Sequence, residues 1–203
     1  MTRFKPVLVT QRIEQDEKTG ELREALDVRW AEFLARAGLF PIPVPSGISL
    51  ESFLDAMKEP VGVILTGGNT VGGDDEASQR RDAVERELLL RMPEARVLGV
   101  CHGLQALVVH EGGSLNSIPG HVRQRHPITI AQSRWLRAHA GLDVNSYHGD
   151  GIADPGSMTV AAQAADGSIE AAESDRRLGI MWHPERESPF RQVDVDLFRT
   201  FFA

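Results

Sequence analysis

The chain has 203 residues, 41% of them apolar and 25% charged, which suits one domain with a real core. Its net charge of -7 comes without an acidic or basic tail and argues against general nucleic-acid binding. No apolar run approaches the roughly 20 residues that span a bilayer, and a single cysteine excludes an intrachain disulfide. Met1–Thr10 carries Arg3 and Lys5 around an apolar run too short for a signal peptide. One cytoplasmic domain over residues 1–203 is expected.

Strand and helix patterns alternate through the first hundred residues. Val7–Val9 reads as a buried strand. Leu26, Trp30, Phe33, Leu34 and Ala37 share one helical face, and Gly38 ends that helix. Phe40–Val44, with its prolines, reads as an edge strand. Leu50–Met57 follows as a short helix and Val61–Leu65 as a strand. Ala77–Met92 is helical, with Val84, Leu88 and Met92 on one face and Arg80, Arg81 and Glu85 toward water. Val97–Val100 is a strand, and Leu104, Leu107 and Val108 open the next helix. Strands separated by such helices imply a parallel sheet covered on both faces.

Beyond Gly112-Gly113 the strands are short: Pro127–Ile130, Leu142–Val144, Met158–Gln163 and Ile169–Ala172. Asp166-Gly167 marks a hairpin between the last two. Leu178–Trp182 is a final strand, and Val195, Phe198 and Phe202 mark a C-terminal helix. The whole reads as α/β, with an antiparallel extension on a mostly parallel sheet.

Cys101 stands in Gly99-Val-Cys-His-Gly103, after a strand and before a helix. That pattern is a tight turn which exposes its central side chain. The helix N-terminus favours a thiolate and any oxyanion beside it. A free thiol titrates near about 8.5 and needs a base. Of seven histidines, His183 is best placed, at a strand end and stiffened by Pro184. Glu185, two residues on, can orient its imidazole. Thr66-Gly-Gly-Asn-Thr70 ends the Val61–Leu65 strand, and paired glycines there leave N–H groups for an oxyanion. These loops share the carboxyl edge of the sheet, where ligands bind in such folds.

Together Thr66-Gly-Gly, Gly-Val-Cys-His-Gly-Leu-Gln (99–105), Asn-Ser-Tyr-His (145–148) and His-Pro-Glu (183–185) resemble class I glutamine amidotransferases, in the branch that holds the γ-glutamyl hydrolases of peptidase family C26. Order and spacing agree from about residue 6 to 200. The resemblance implies a flavodoxin-like three-layer sandwich and a Cys101, His183, Glu185 triad. It implies oxyanion donors at the N–H groups of Gly68 and His102, and a thioester on Cys101. Gly67, Asn69, Gln105, Asn145, Ser146, Tyr147 and His148 would hold the γ-glutamyl substrate. Many relatives carry Gln where Asp150 stands, so no contact is assigned to it.

Further segments resemble a narrower group, the γ-glutamyl-CDP-amidate hydrolases. These include Gln11-Arg12, Leu22–Trp30, Arg81-Asp82-x-x-Glu85, Val144–Ile152 and Met181–Arg186. That implies a nucleoside diphosphoramidate product, used to decorate surface polysaccharide. A diphosphate wants cationic forks. Arg12, Arg23, His121, Arg123, Arg125, His126 and Arg186 are candidates, and residues 120–126 form the densest cationic stretch. The bland alternatives are a solvated loop for 120–126, a turn cap for Asn69, a surface pair for Arg81 and Glu85, and a solvent-facing or mutually paired Arg23 and Glu24. Trp30 reads as core and Trp182 as a wall beside His183.

No metal-ligand spacing is present and no cofactor is expected. The alternative substrates are γ-glutamyl-GABA, or glutamine if the chain is a subunit serving a separate synthetase. There is no room in this chain for an acceptor domain. A small-molecule substrate is expected, with no membrane partner. A homo-oligomer is compatible with the sequence.

Overall fold

The computed structural model describes residues 4–57, 60–137 and 142–203. Arg3, part of the N-terminal expectation, lies outside them. The elements run β1 (Lys5–Val9), β2 (Arg12–Gln15), β3 (Leu22–Ala25), α1 (Arg29–Arg36), β4 (Leu39–Pro43), α2 (Leu50–Ala56), β5 (Val63–Leu65), α3 (Glu76–Arg91), β6 (Val97–Val100) and α4 (His102–His110). They continue as β7 (Ser114–Ser117), β8 (Val122–Ile130), β9 (Asp143–Tyr147), β10 (Asp150–Asp154), β11 (Thr159–Ala164), β12 (Ile169–Glu173), β13 (Arg177–Ile180), a 3-10 turn (Pro184–Arg186) and α5 (Gln192–Phe201).

Nine strands form the main sheet, in the order β4-β1-β5-β6-β13-β12-β11-β8-β9. The pairings from β4 to β13 are parallel, and those from β13 to β9 antiparallel. Side-chain alternation explains the layers. Val7 and Val9 of β1, Ile64 of β5 and Leu98 and Val100 of β6 meet Trp30, Phe33, Phe198 and Phe201 of α1 and α5. Leu8, Val63, Leu65 and Val97 meet Leu88, Leu89, Leu104 and Leu107 of α3 and α4 on the other face. This is the three-layer α/β sandwich expected. The proline-bearing strand sits at the sheet edge as β4, where a missing N–H does least harm. Among the described residues no helix is long and apolar enough to cross a membrane.

Three expectations need correction. Leu26 lies outside α1, because Asp27 accepts from the Arg29 N–H at 3.0 Å and starts the helix there. The β2–β3 hairpin and the two-stranded β7–β10 ribbon add to the expected elements, since few apolar side chains mark them in the sequence. Residues 122–126 are not a loop but the first half of β8. Arg81 and Glu85 do not face water; both are buried against the β5 end.

Candidate active site

Strands β1, β5, β6 and β13 end together, bringing Thr10, Thr66, Cys101 and His183 to one edge. Cys101 leaves β6 at φ 53 and ψ -106, an uncommon conformation for a side-chain-bearing residue. The turn is tight enough that a Cβ on Gly103 would lie 2.1 Å from the Leu65 carbonyl oxygen. The Cys101 carbonyl accepts from the N–H groups of Leu104 and Gln105, closing the first turn of α4. In a trans peptide the N–H points opposite its C=O. The His102 N–H therefore points out of the helix N-terminus.

His183 follows β13. Its Nδ1 lies 2.7 Å from Glu185 Oε1, and both residues are buried. The Cys101 sulfur lies close enough to the same imidazole to favour its charged form. Burial opposes charging the ring, but Glu185 and the Cys101 sulfur outweigh it and push His183 up to about 9. The β5 loop packs directly on this ring: a Cβ on Gly67 would lie 2.5 Å from its Cε1.

A buried network holds that loop from behind. Arg81 donates through Nη1 to the Gly67 carbonyl at 3.0 Å and through Nη2 to the Thr66 carbonyl. The Gly68 N–H, on the same peptide as the Gly67 carbonyl, is thereby turned away from Arg81. Glu85 receives Arg81 Nε at 3.0 Å and Thr10 Oγ1 at 2.8 Å, and lies 3.0 Å from His102 Nε2. Complete burial favours the neutral acid, yet Arg81 and His102 hold the Glu85 carboxyl down at about 2. The His102 ring is thus bound into the support, with Nδ1 2.9 Å from the Asn69 carbonyl oxygen. Sequence spacing showed the Arg81–Glu85 pair but not that its face of α3 meets the site.

The structure separates the other expected substrate residues. Asn69 neither caps a turn nor lines the cleft through its amide. It donates to Ile13 O and accepts from Ile13 N, both at 2.9 Å, fastening β2. Gln105 donates to the Asp150 carbonyl at 2.8 Å, tying α4 to β10. Along β9 the side chains alternate. Asn145 accepts from His183 N and donates to His183 O, both at 2.8 Å. Tyr147 packs edge-on against the His183 ring at 5.7 Å. Ser146 faces the other way and donates to the His121 carbonyl, and His148 packs on the His121 ring.

Beside His183 lies a cleft of about 320 Å³, lined among others by Arg12, Asp27, Gly67, Glu185 and Arg186. The Arg186 guanidinium lies 4.6 Å from the Tyr147 ring centre. Arg123 and Arg125 do not line this cleft. Arg123 is exposed at φ 56. Arg125 is engaged by Asp143 and Glu187. Arg23 pairs with Glu21 and Asp16 rather than with Glu24. His121 and His126 turn inward toward Glu170. Trp182 is no wall of this cleft; it is core, donating to Asp194 at 3.1 Å. Trp30 is core, as expected, and its edge reaches the cleft.

Solved glutamine amidotransferases share this fold. A putative GMP synthase subunit from Thermoplasma acidophilum superimposes with a TM-score of 0.74 at 22% identity, over 98% of this chain and 92% of that one. This chain belongs to the Peptidase C26 family, whose pattern it matches over residues 7–185. It is 26% identical to the gamma-glutamyl-CDP-amidate hydrolase of Campylobacter jejuni, over 92% of this chain and 93% of that one. It is 25% identical to the gamma-glutamyl-gamma-aminobutyrate hydrolase PuuD of Escherichia coli K12, over 91% and 87%. These relatives support hydrolase activity within a group of γ-glutamyl hydrolases and amidotransferases.

Proposed function

We propose that the chain hydrolyses a γ-glutamyl amide through a thioester on Cys101. The observation that carries this reading is the buried His183–Glu185 pair on the same sheet edge as Cys101, which leaves β6 in a strained strand-to-helix turn. In this reading the Cys101 thiolate adds to the γ-carbonyl carbon. The negative oxygen lies against the N–H groups of Gly68 and His102, each worth on the order of 10²–10³ in rate. Protonated His183 gives its proton to the leaving nitrogen, the C–N bond breaks, and the thioester remains. Water then gives a proton back to His183 and attacks the thioester. Glutamate leaves and the thiolate is restored. Glu185 orients His183 and stabilises its charge throughout. A cytoplasmic location suits an enzyme that depends on one free thiol.

The leaving group is proposed to be anionic, because Arg186 faces the cleft beside His183 and Arg12, paired with Glu14, lines it too. The substrate put forward is γ-glutamyl-CDP-amidate, yielding glutamate and cytidine diphosphoramidate for polysaccharide modification. γ-Glutamyl-GABA, whose leaving group carries one carboxylate, is the alternative. Service to a separate synthetase is a second alternative, motivated by the likeness to a GMP synthase subunit. The test incubates the pure chain with γ-glutamyl-CDP-amidate, γ-glutamyl-GABA or glutamine and measures released glutamate, with Cys101→Ala as control. A strong preference for the nucleotide is expected. Preference for another amide keeps the thiol chemistry and discards the nucleotide. Release from glutamine only after a synthetase is added replaces the free-standing hydrolase by the subunit reading.

A further inference from the structure

Behind the active site, between β8, the β9–β10 turn and β12, lies a second group of chemistry-bearing side chains. Glu170 is completely buried, and neither of its carboxylate oxygens has a hydrogen-bond partner. Three histidines point at one of them. His121 Nδ1 lies 3.3 Å from Glu170 Oε1, and His126 Nε2 and His148 Nε2 each lie 3.6 Å from it. Among the described residues ten buried side-chain atoms lack partners, and five of them belong to His126, His148 and Glu170. The unpartnered atoms are therefore concentrated in one place, and a buried carboxylate without a donor is costly unless a cation sits beside it.

The hydrogen bonds on the outer side set the tautomers. His121 Nε2 lies 2.9 Å from Asp166 Oδ2, so its proton belongs there and the Nδ1 lone pair faces Glu170. His148 Nδ1 lies 3.2 Å from the Asp150 carbonyl oxygen, which can only accept, so its Nε2 lone pair also faces inward. A carboxylate behind His121 and a carbonyl behind His148 orient these two rings as metal-binding histidines are oriented, while His126 Nδ1 has no such partner. Zinc bonds of about 2.0–2.2 Å in a tetrahedron put neighbouring donor atoms about 3.4 Å apart, close to the three distances around Glu170 Oε1. The donors of His121, His126 and Glu170 lie within 4.8 Å of one another.

We propose that His121, His126 and Glu170 form a binding site for a divalent transition-metal ion of the zinc class, with His148 beside it. The histidine and carboxylate donors suit zinc or cobalt rather than calcium or magnesium. The ion fastens the start of β8, which pairs with β9, to β12. It thereby holds in place the strand whose Asn145 and Tyr147 support His183. No spacing in the sequence shows the site, because its ligands come from two segments far apart in the chain.

The test titrates the metal-free, untagged Cys101→Ser chain with Co²⁺. This background removes the one thiolate that could bind the ion elsewhere. About one equivalent should produce the visible absorption of tetrahedral cobalt, displaced by Zn²⁺. Zn²⁺ should raise Tm by about 5 °C or more. Asp166→Ala, at an exposed position, should weaken Co²⁺ binding by about tenfold. His126→Ala should abolish the absorption while leaving the circular dichroism of the fold. A chain that gives neither the absorption nor a Tm shift overturns the proposal, as does binding that survives in His126→Ala.

Discussion

Replacing Cys101 with alanine removes the only thiol in the chain. Turnover should fall below detection while binding of the γ-glutamyl substrate, followed by calorimetry, stays within a few-fold; measurable turnover at the wild-type rate excludes Cys101 as nucleophile. His183→Ala should lower kcat by about 10³-fold, since it removes the proton donor itself. Glu185→Gln should cost less, about 10–100-fold, because it orients and stabilises the imidazole without transferring a proton. The same pair sets a pH dependence. His183 is raised from its ordinary value of 6.5 to about 9. The stability that its ion pair with Glu185 adds is therefore complete below about 6.5, and both it and the pair are lost as pH rises through about 9. The alkaline limb of kcat/KM should fall near there. In Glu185→Gln it should move to lower pH, because the carboxylate that favours the imidazolium is gone; an unmoved limb removes Glu185 from that role.

Helix α3 shows how an element can mislead when read alone. Arg81 and Glu85 are spaced as a surface pair, and i, i+4 spacing is identical whether the face meets water or protein. In the fold they hold the Thr66–Gly67 carbonyls and His102. Exposed pairs contribute little, but removing one partner from a buried pair strands a charge. Glu85→Ala should destabilise the chain by about 3–5 kcal/mol in urea unfolding, against under 1 kcal/mol for the exposed Glu32→Ala on α1. Its carboxyl is held at about 2, below its ordinary 4.5. The stability it adds is thus complete above about 4.5 and lost as pH falls toward 2. Strand β9 makes a similar point: Asn145 grips the backbone of His183 on both sides. Asn145→Ala should lower kcat more than it raises KM. A pure KM effect would restore the substrate contact that the family resemblance assigns to this residue.

At the scale of the molecule the cleft is assembled from parts far apart in the chain. The β2–β3 hairpin brings Arg12, the segment before α1 brings Asp27, and the turn after β13 brings Arg186. Arg12→Ala should raise KM for an anionic amide by about tenfold and leave glutamine unchanged, the loss expected for one charged hydrogen bond. An equal change for both substrates places Arg12 in the scaffold instead. Charge in the 120–126 stretch suggested an anion site. Pairing divides it: Arg125 goes to Asp143 and Glu187, and the two histidines go inward to Glu170.

The parallel half of the sheet was legible because each strand there is a continuous apolar run between amphipathic helices, a pattern local in sequence. Cys101 and the His183–Glu185 pair were legible because the elbow and the strand end are themselves short local motifs. Their meeting, the burial of Arg81 and Glu85, the fastening role of Asn69 and the histidines around Glu170 were decided only by the tertiary structure. Each depends on which face of an element is covered by a segment distant in the chain. A polar side chain buried against such a segment must find its partners there, and no local spacing records them.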